Sequence, residues 1–104
     1  MELLDTLRSR VEKDPRKTAV VFRDKEISWE ELWENCSKIK GGLSGLGVKE
    51  GDRVAIYLPN WPEYIYSYLA VWMLGAVAVP LDFMLTFEEL SSCIEHAQAK
   101  VLIM

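Results

Sequence analysis

The chain has 104 residues, half of them hydrophobic and 27% charged, which leaves room for one small core and excludes a disordered segment. Sixteen acidic against 12 basic residues give a net charge of -4 with no basic stripe, a balance that repels a phosphate backbone and excludes nucleic acid as a main partner. The two cysteines, Cys36 and Cys93, are far apart and form no CxxC pair, so they read as reduced, partly buried thiols.

The opening Met1-Glu2-Leu3-Leu4-Asp5 lacks the positive flank and apolar run of a signal peptide, so the cytoplasm is the expected compartment. Leu3, Leu4, Leu7 and Val11 share one helical face, and Asp14-Pro15 ends that helix, because proline disfavours the helical conformation in the residue before it. Thr18 to Arg23 and Glu26 to Ser28 flank Asp24-Lys25 and predict a small hairpin turning at those two residues. Ser28 with Glu31 predicts a capping box at the start of the next helix, with Ile27 and Leu32 as its hydrophobic staple. Trp29, Leu32, Cys36, Ile39, Leu43 and Leu46 place one apolar face down to Gly47, a left-handed cap. Gly41 and Gly42 interrupt that helix at about 1 kcal/mol each against alanine. Close packing or a late kink would account for them.

Three runs then follow: Val54 to Leu58, Ala76 to Pro80 and Val101 to Met104. They are apolar throughout rather than alternating, as strands covered on both faces are. Leu58 is accordingly expected in the core. Between the runs, Trp61 to Leu74 reads as a helix apolar nearly all round and Phe87 to about Ala97 as a second one, lengths that suit βαβ crossovers. Thr86 with Glu89 predicts another capping box. Pro59, Asn60, Pro62, Glu63 and Gly75 break the most apolar stretch, so no membrane span is predicted. The expected fold class is α/β: an N-terminal helix and small β-hairpin followed by a βαβαβ parallel-sheet unit. The final apolar strand suggests the opening piece of a wider sheet; a complete small domain with that strand at its edge is the alternative.

Candidate chemistry is sparse. Gly41 to Gly47 closes a helix and does not follow a strand, so it reads as a terminator rather than a phosphate loop. His96, the single histidine, has no nucleophile or orienting partner in the sequence and fits the negative end of a helix. Glu30, Glu31, Glu88 and Glu89 fall in first helical turns, where the dipole favours negative charge. Tyr64, Tyr68 and Trp72 recur every four residues and read as core in preference to a ligand wall. Asn60 lies where a strand's carboxyl end turns into a helix, and capping that helix with Glu63 is its simplest role.

Several phrases together carry a resemblance. Ile27-Ser28-Trp29-Glu30-Glu31-Leu32, Gly47 to Asn60, Leu74 to Asp82 and Ala99 to Ile103 stand in the order and spacing of the adenylate-forming (AMP-binding) enzymes, and the chain resembles the N-terminal portion of an acyl-CoA synthetase, a fatty-acid–CoA ligase. Asp82-Phe83-Met84 departs from the Asn-Pro-x of many acyl-CoA synthetases, and Gly41-Gly42 from the commoner alanines. The resemblance implies that residues 1–104 belong to a larger adenylate-forming N-terminal domain of an incomplete AMP-binding synthetase unit. It implies an activity in the parent: a carboxylic acid, expected to be a fatty acid, becomes an acyl-adenylate and is passed to coenzyme A. ATP, Mg2+ and coenzyme A are implied for the parent and none for this segment. The family's phosphate loop, nucleotide motifs and catalytic lysine have no counterpart between Met1 and Met104, so no catalytic, cofactor-binding or metal residue is assigned and the segment is expected to be silent by itself. Expected partners are the remainder of the parent enzyme, its acid substrate and further copies of the chain. The alternatives are a non-catalytic scaffold module of the same fold, or a peptide-synthetase or luciferase-like adenylation domain.

Overall fold

The computed structural model describes residues 2–104. Helix α1 (Glu2–Lys13) leads into the strands β1 (Thr18–Phe22) and β2 (Lys25–Ser28). Helix α2 (Trp29–Gly45), strand β3 (Arg53–Ile56), helix α3 (Pro62–Met73), strand β4 (Val77–Pro80), helix α4 (Phe87–Ala97) and strand β5 (Val101–Ile103) follow.

The β1–β2 pair is antiparallel, with Phe22 opposite Lys25 and Val20 opposite Ile27. Its turn is therefore Arg23-Asp24, one residue earlier than the expected Asp24-Lys25, and Arg23 takes the left-handed φ of 57° that the reversal demands. Helix α2 starts on a well-supplied cap. The Ser28 hydroxyl accepts the Glu31 N–H at 3.1 Å, and the carbonyls of Lys17 and Pro15 accept the N–H groups of Trp29 and Glu30 at 3.0 and 2.9 Å. The expected box is only half formed, because the Glu31 carboxylate takes the Ser28 hydroxyl at 3.3 Å instead of reaching the cap's backbone N–H. At Thr86 both halves are present, with Glu89 N–H on the threonine oxygen at 3.2 Å and Thr86 N–H on the carboxylate at 2.9 Å.

The three apolar runs are parallel strands in the order β4-β3-β5. Val54 stands beside Ala78 and Val101, and Ile56 beside Pro80 and Ile103. Side chains alternate across a strand. Val54, Val101, Ile103 and Ala78 thus pack on one face against α2 and α3, in a cluster with Leu43, Val48, Ala70, Val71 and Ala76. Leu102 and Tyr57 lie on the other face with Phe87, Leu90 and Ile94 of α4. Helices on both faces explain why Val54, Ala55 and Ile56 are fully buried and why their run shows no alternation. Val54 and Ile56 each contribute about 1.5 to 3 kcal/mol by burial, and the single methyl of Ala55 less. Leu58 does not belong to this set: β3 ends at Ile56, and Leu58 is half-buried in the loop beyond it.

A second cluster joins Leu7, Ile27, Leu32, Cys36 and Tyr66, so α2 packs on α1 and the hairpin with its first half and on the sheet side with Leu43 in its second. Ile39 touches both clusters. Leu46 departs from the expected apolar face and is 65% exposed. The glycines Gly41 and Gly42 show no close neighbour where a Cβ would stand, so tight packing is not their reason, and nothing in the structure explains them.

Candidate functional site

All three parallel strands point their carboxyl ends to one edge of the sheet, the edge where α/β proteins place ligands. The chain leaves β3 through Tyr57 to Trp61 and β4 through Leu81 to Thr86, and the two segments enclose a cleft of about 460 Å3. Leu58, Pro59, Asn60 and Tyr64 form one wall, and Pro80 to Met84 the other. Asp82 is the one charged residue among those lining it.

The wall after β4 is a built turn. Asp82 Oδ1 accepts the Met84 N–H at 2.9 Å, and the Asp82 carbonyl accepts the Leu85 N–H at 3.1 Å. The side chain of Tyr57 reaches it from the neighbouring strand, its hydroxyl lying 3.1 Å from the Phe83 carbonyl and 3.0 Å from that of Leu85. Its ring is tilted against Phe83 with centroids 5.0 Å apart. Nothing in the residue pattern pointed to Tyr57, which reads there as one more apolar member of a strand.

Asn60 lines the cleft but does not cap α3. The cap position belongs to Trp61, whose side chain makes no capping bond, with Pro62 as the first helical residue, where its missing N–H costs nothing. The aromatic ridge begins at the cleft: Tyr64 stacks on Tyr68 at 6.3 Å, and Tyr68 meets Trp72 edge-on at 4.9 Å. It is half-exposed, whereas the buried face of α3 is Tyr66, Ser67, Ala70 and Val71, so the expectation of a core stripe is corrected. A second, more apolar groove of about 370 Å3 runs along α4 between Tyr57, Phe87, Leu90, Ile94 and Met104.

The remaining candidates are dispersed. His96 is exposed in the last turn of α4. Gly47 turns the chain after α2 with φ 88°, and the N–H groups of Gly47 and Val48 donate to the carbonyls of Ser44 and Leu43. Among the described residues, no group of three or more His, Cys, Asp or Glu could hold a metal ion. No helix among them is long and apolar enough to cross a membrane.

Residues 7–104 match the AMP-binding enzyme family. The chain belongs to that family. It is 36% identical over 96 residues to the 2-succinylbenzoate–CoA ligase of Bacillus velezensis, covering 91% of this chain and 20% of that protein. It is 34% identical over 89 residues to the long-chain-fatty-acid–CoA ligase of Bacillus subtilis, covering 86% of this chain and 16% of that protein. Among solved structures, the N-terminal domain of FACL13 from Mycobacterium tuberculosis superposes with a TM-score of 0.84 at 32% identity, over 92% of this chain and 25% of that one. This AMP-binding chain therefore spans about a fifth of the length of the curated relatives it matches, and its fold matches about a quarter of the length of the N-terminal domains of adenylate-forming enzymes.

Proposed function

We propose that this chain is the opening segment of an ATP-dependent acid–thiol ligase. In that reading the whole protein joins a carboxylate to the α-phosphate of ATP, releases pyrophosphate, and passes the acyl group from the adenylate to the thiol of coenzyme A. The observation that carries it is the family match over residues 7–104, together with relatives named as CoA ligases. A fatty acid is the substrate we favour, supported by the long-chain ligase among those relatives.

What these residues supply is scaffold and the two walls of a cleft. Adenylation depends on positioned donors and cations around the transferred phosphoryl group. The cleft is lined by no lysine or arginine, and the described residues offer no carboxylate cluster for Mg2+. No chemical step is therefore assigned to a residue of this chain, and the isolated segment is expected to be silent. A reducing, cytoplasmic setting goes with this reading and is supported by the free thiols of Cys36 and Cys93.

Acid-dependent exchange of labelled pyrophosphate into ATP tests both statements. The protein encoded by the whole reading frame should catalyse it with a fatty acid, and residues 1–104 alone should not. Exchange by the isolated segment would refute the scaffold role. A reading frame that stops after Met104 would favour the non-catalytic module.

A further inference from the structure

Tyr57 follows directly on β3, and its own N–H donates to the Ile103 carbonyl at 2.9 Å, so its backbone is held by the neighbouring strand β5. Its hydroxyl has a single proton and two carbonyl acceptors, Phe83 at 3.1 Å and Leu85 at 3.0 Å, a three-centre arrangement that grips the backbone on both sides of Met84. Met84 is 85% exposed and Phe83 49%, and both line the cleft over the strand ends. Exposed apolar side chains on a loop stay where their backbone is held. The loop's internal bonds shape its turn through Asp82, the Leu81 N–H on the Ile56 carbonyl at 2.9 Å holds its first residue to β3, and Tyr57 holds residues 83–85 of the turn to the sheet.

We propose that Tyr57 is a positioning residue for the cleft, setting where Phe83 and Met84 stand and thereby the affinity for an uncharged portion of a substrate. With no lysine or arginine among the lining residues, the cleft offers a phosphate group no cationic partner. Its lining is mixed, with Leu58, Pro59, Phe83 and Met84 beside the polar Asn60 and Asp82, and the carboxylate of Asp82 disfavours an anion there. An uncharged portion, either the acyl group of the acid or the neutral arm that carries the thiol, fits that lining, and the assay separates the two. The inference rests on the ligase reading given above.

The test uses the whole protein and the variant Tyr57→Phe, which keeps the ring and removes the hydroxyl. Hydrogen exchange at the amides of residues 83–86 should accelerate about fivefold, the factor that loss of one hydrogen bond worth about 1 kcal/mol produces. The KM of either the acid or the thiol should rise by a similar factor, with a smaller change in kcat and no change in the KM of ATP. Phe83→Ala, which removes the ring contact and keeps the hydroxyl, should move the same KM. Unchanged exchange, a raised KM for ATP, or unchanged KM values for both acid and thiol would overturn the inference while leaving an active ligase. A wild-type protein without acid-dependent pyrophosphate exchange would overturn the ligase reading and this inference with it.

Discussion

Lys100 Nζ donates to the carbonyl oxygen of Gly47 at 2.7 Å, tying the entrance of β5 to the turn after α2. The same ammonium lies 3.3 Å from Asp52 Oδ2, and that oxygen also accepts the Lys49 N–H at 2.7 Å. The amino ends of β3 and β5 are thus clasped together, and the Arg53 guanidinium adds a bond to the Ala97 carbonyl at 3.0 Å. Replacing Lys100 by methionine should keep the stem's packing and cost about 0.5 to 1 kcal/mol, since the charges are partly solvated. Urea denaturation of the chain checks this.

The clasp also predicts a pH dependence. The Lys49 N–H, and after it the hydrogen bond and charge of Lys100, hold the Asp52 carboxyl below its ordinary value. A carboxyl whose folded pKa is depressed stabilises above its unfolded pKa, and that stabilisation is lost as pH falls through the folded value. Asp52→Asn should therefore be less stable than the parent chain at neutral pH. The difference should vanish in acid, below the ordinary carboxylate range. Glu89, depressed mainly by the Thr86 N–H, should behave in the same way when changed to Gln. Melting curves across an acid series measure both.

Burial separates three substitutions that pattern alone ranks poorly. Ile56 is fully buried in the middle strand, and Ile56→Ala should cost roughly 2 to 5 kcal/mol through lost contacts and a cavity. Leu58, half-buried beyond the strand, should cost less when cut to alanine. Ser28→Ala should cost about 1 kcal/mol through its single capping bond. Equal losses for Ile56 and Leu58 in chemical denaturation would contradict the strand boundary.

The two thiols should react in sequence. Burial pushes the Cys36 thiol up to about 12, outweighing a backbone hydrogen bond that lowers it, and the side chain is fully enclosed. The thiolate is the reactive form. Cys93 is only half-buried on α4. A disulfide reagent at pH 8 should titrate one thiol rapidly, with the second released only by denaturant. Loss of the rapid phase in Cys93→Ser assigns it.

Gln98 closes α4 in the left-handed conformation at φ 53°, where α2 and α3 place Gly47 and Gly75. Its N–H returns to Glu95 and that of Ala99 to Ile94, the same bonding pattern as at the two glycines. Left-handed backbone strains a residue with a Cβ by about 1 to 2 kcal/mol, part of which glycine gives back through its freer unfolded state. Gln98→Gly should therefore raise stability by about 0.5 kcal/mol. Gly75→Ala should lower it, because the added Cβ meets the Glu50 side chain at 3.2 Å as well as the strained φ. Both are read from denaturation midpoints.

The sheet was legible because three runs of continuous apolar residues, separated by capped helices, admit few arrangements other than parallel strands covered on both sides. Helix starts at Ser28 and Thr86, and the stops at Gly47 and Gly75, were legible for the same local reason. The hairpin turn was misplaced because Arg23 accepts a conformation that its residue type disfavours. The α3 cap was misassigned because Pro62 defines the first turn without a side-chain bond from Asn60. The cleft was only partly visible: Asn60 lies at the expected sheet edge, but the Tyr57 tether joins residues 26 and 28 apart and leaves no local signature.

The position of β3 between β4 and β5 has a consequence for biosynthesis. The middle strand leaves the ribosome first, acquires β4 on one flank after α3 is complete, and waits with its other flank bare until Val101–Ile103 emerge. A strand whose Val54, Ala55 and Ile56 are apolar, with free main-chain donors and acceptors, is open to stray pairing with another nascent polypeptide. The interval between the emergence of Pro80 and that of Ile103 is therefore the window in which a ribosome-bound holdase would protect this chain most, and a translational pause during it should lower the native yield.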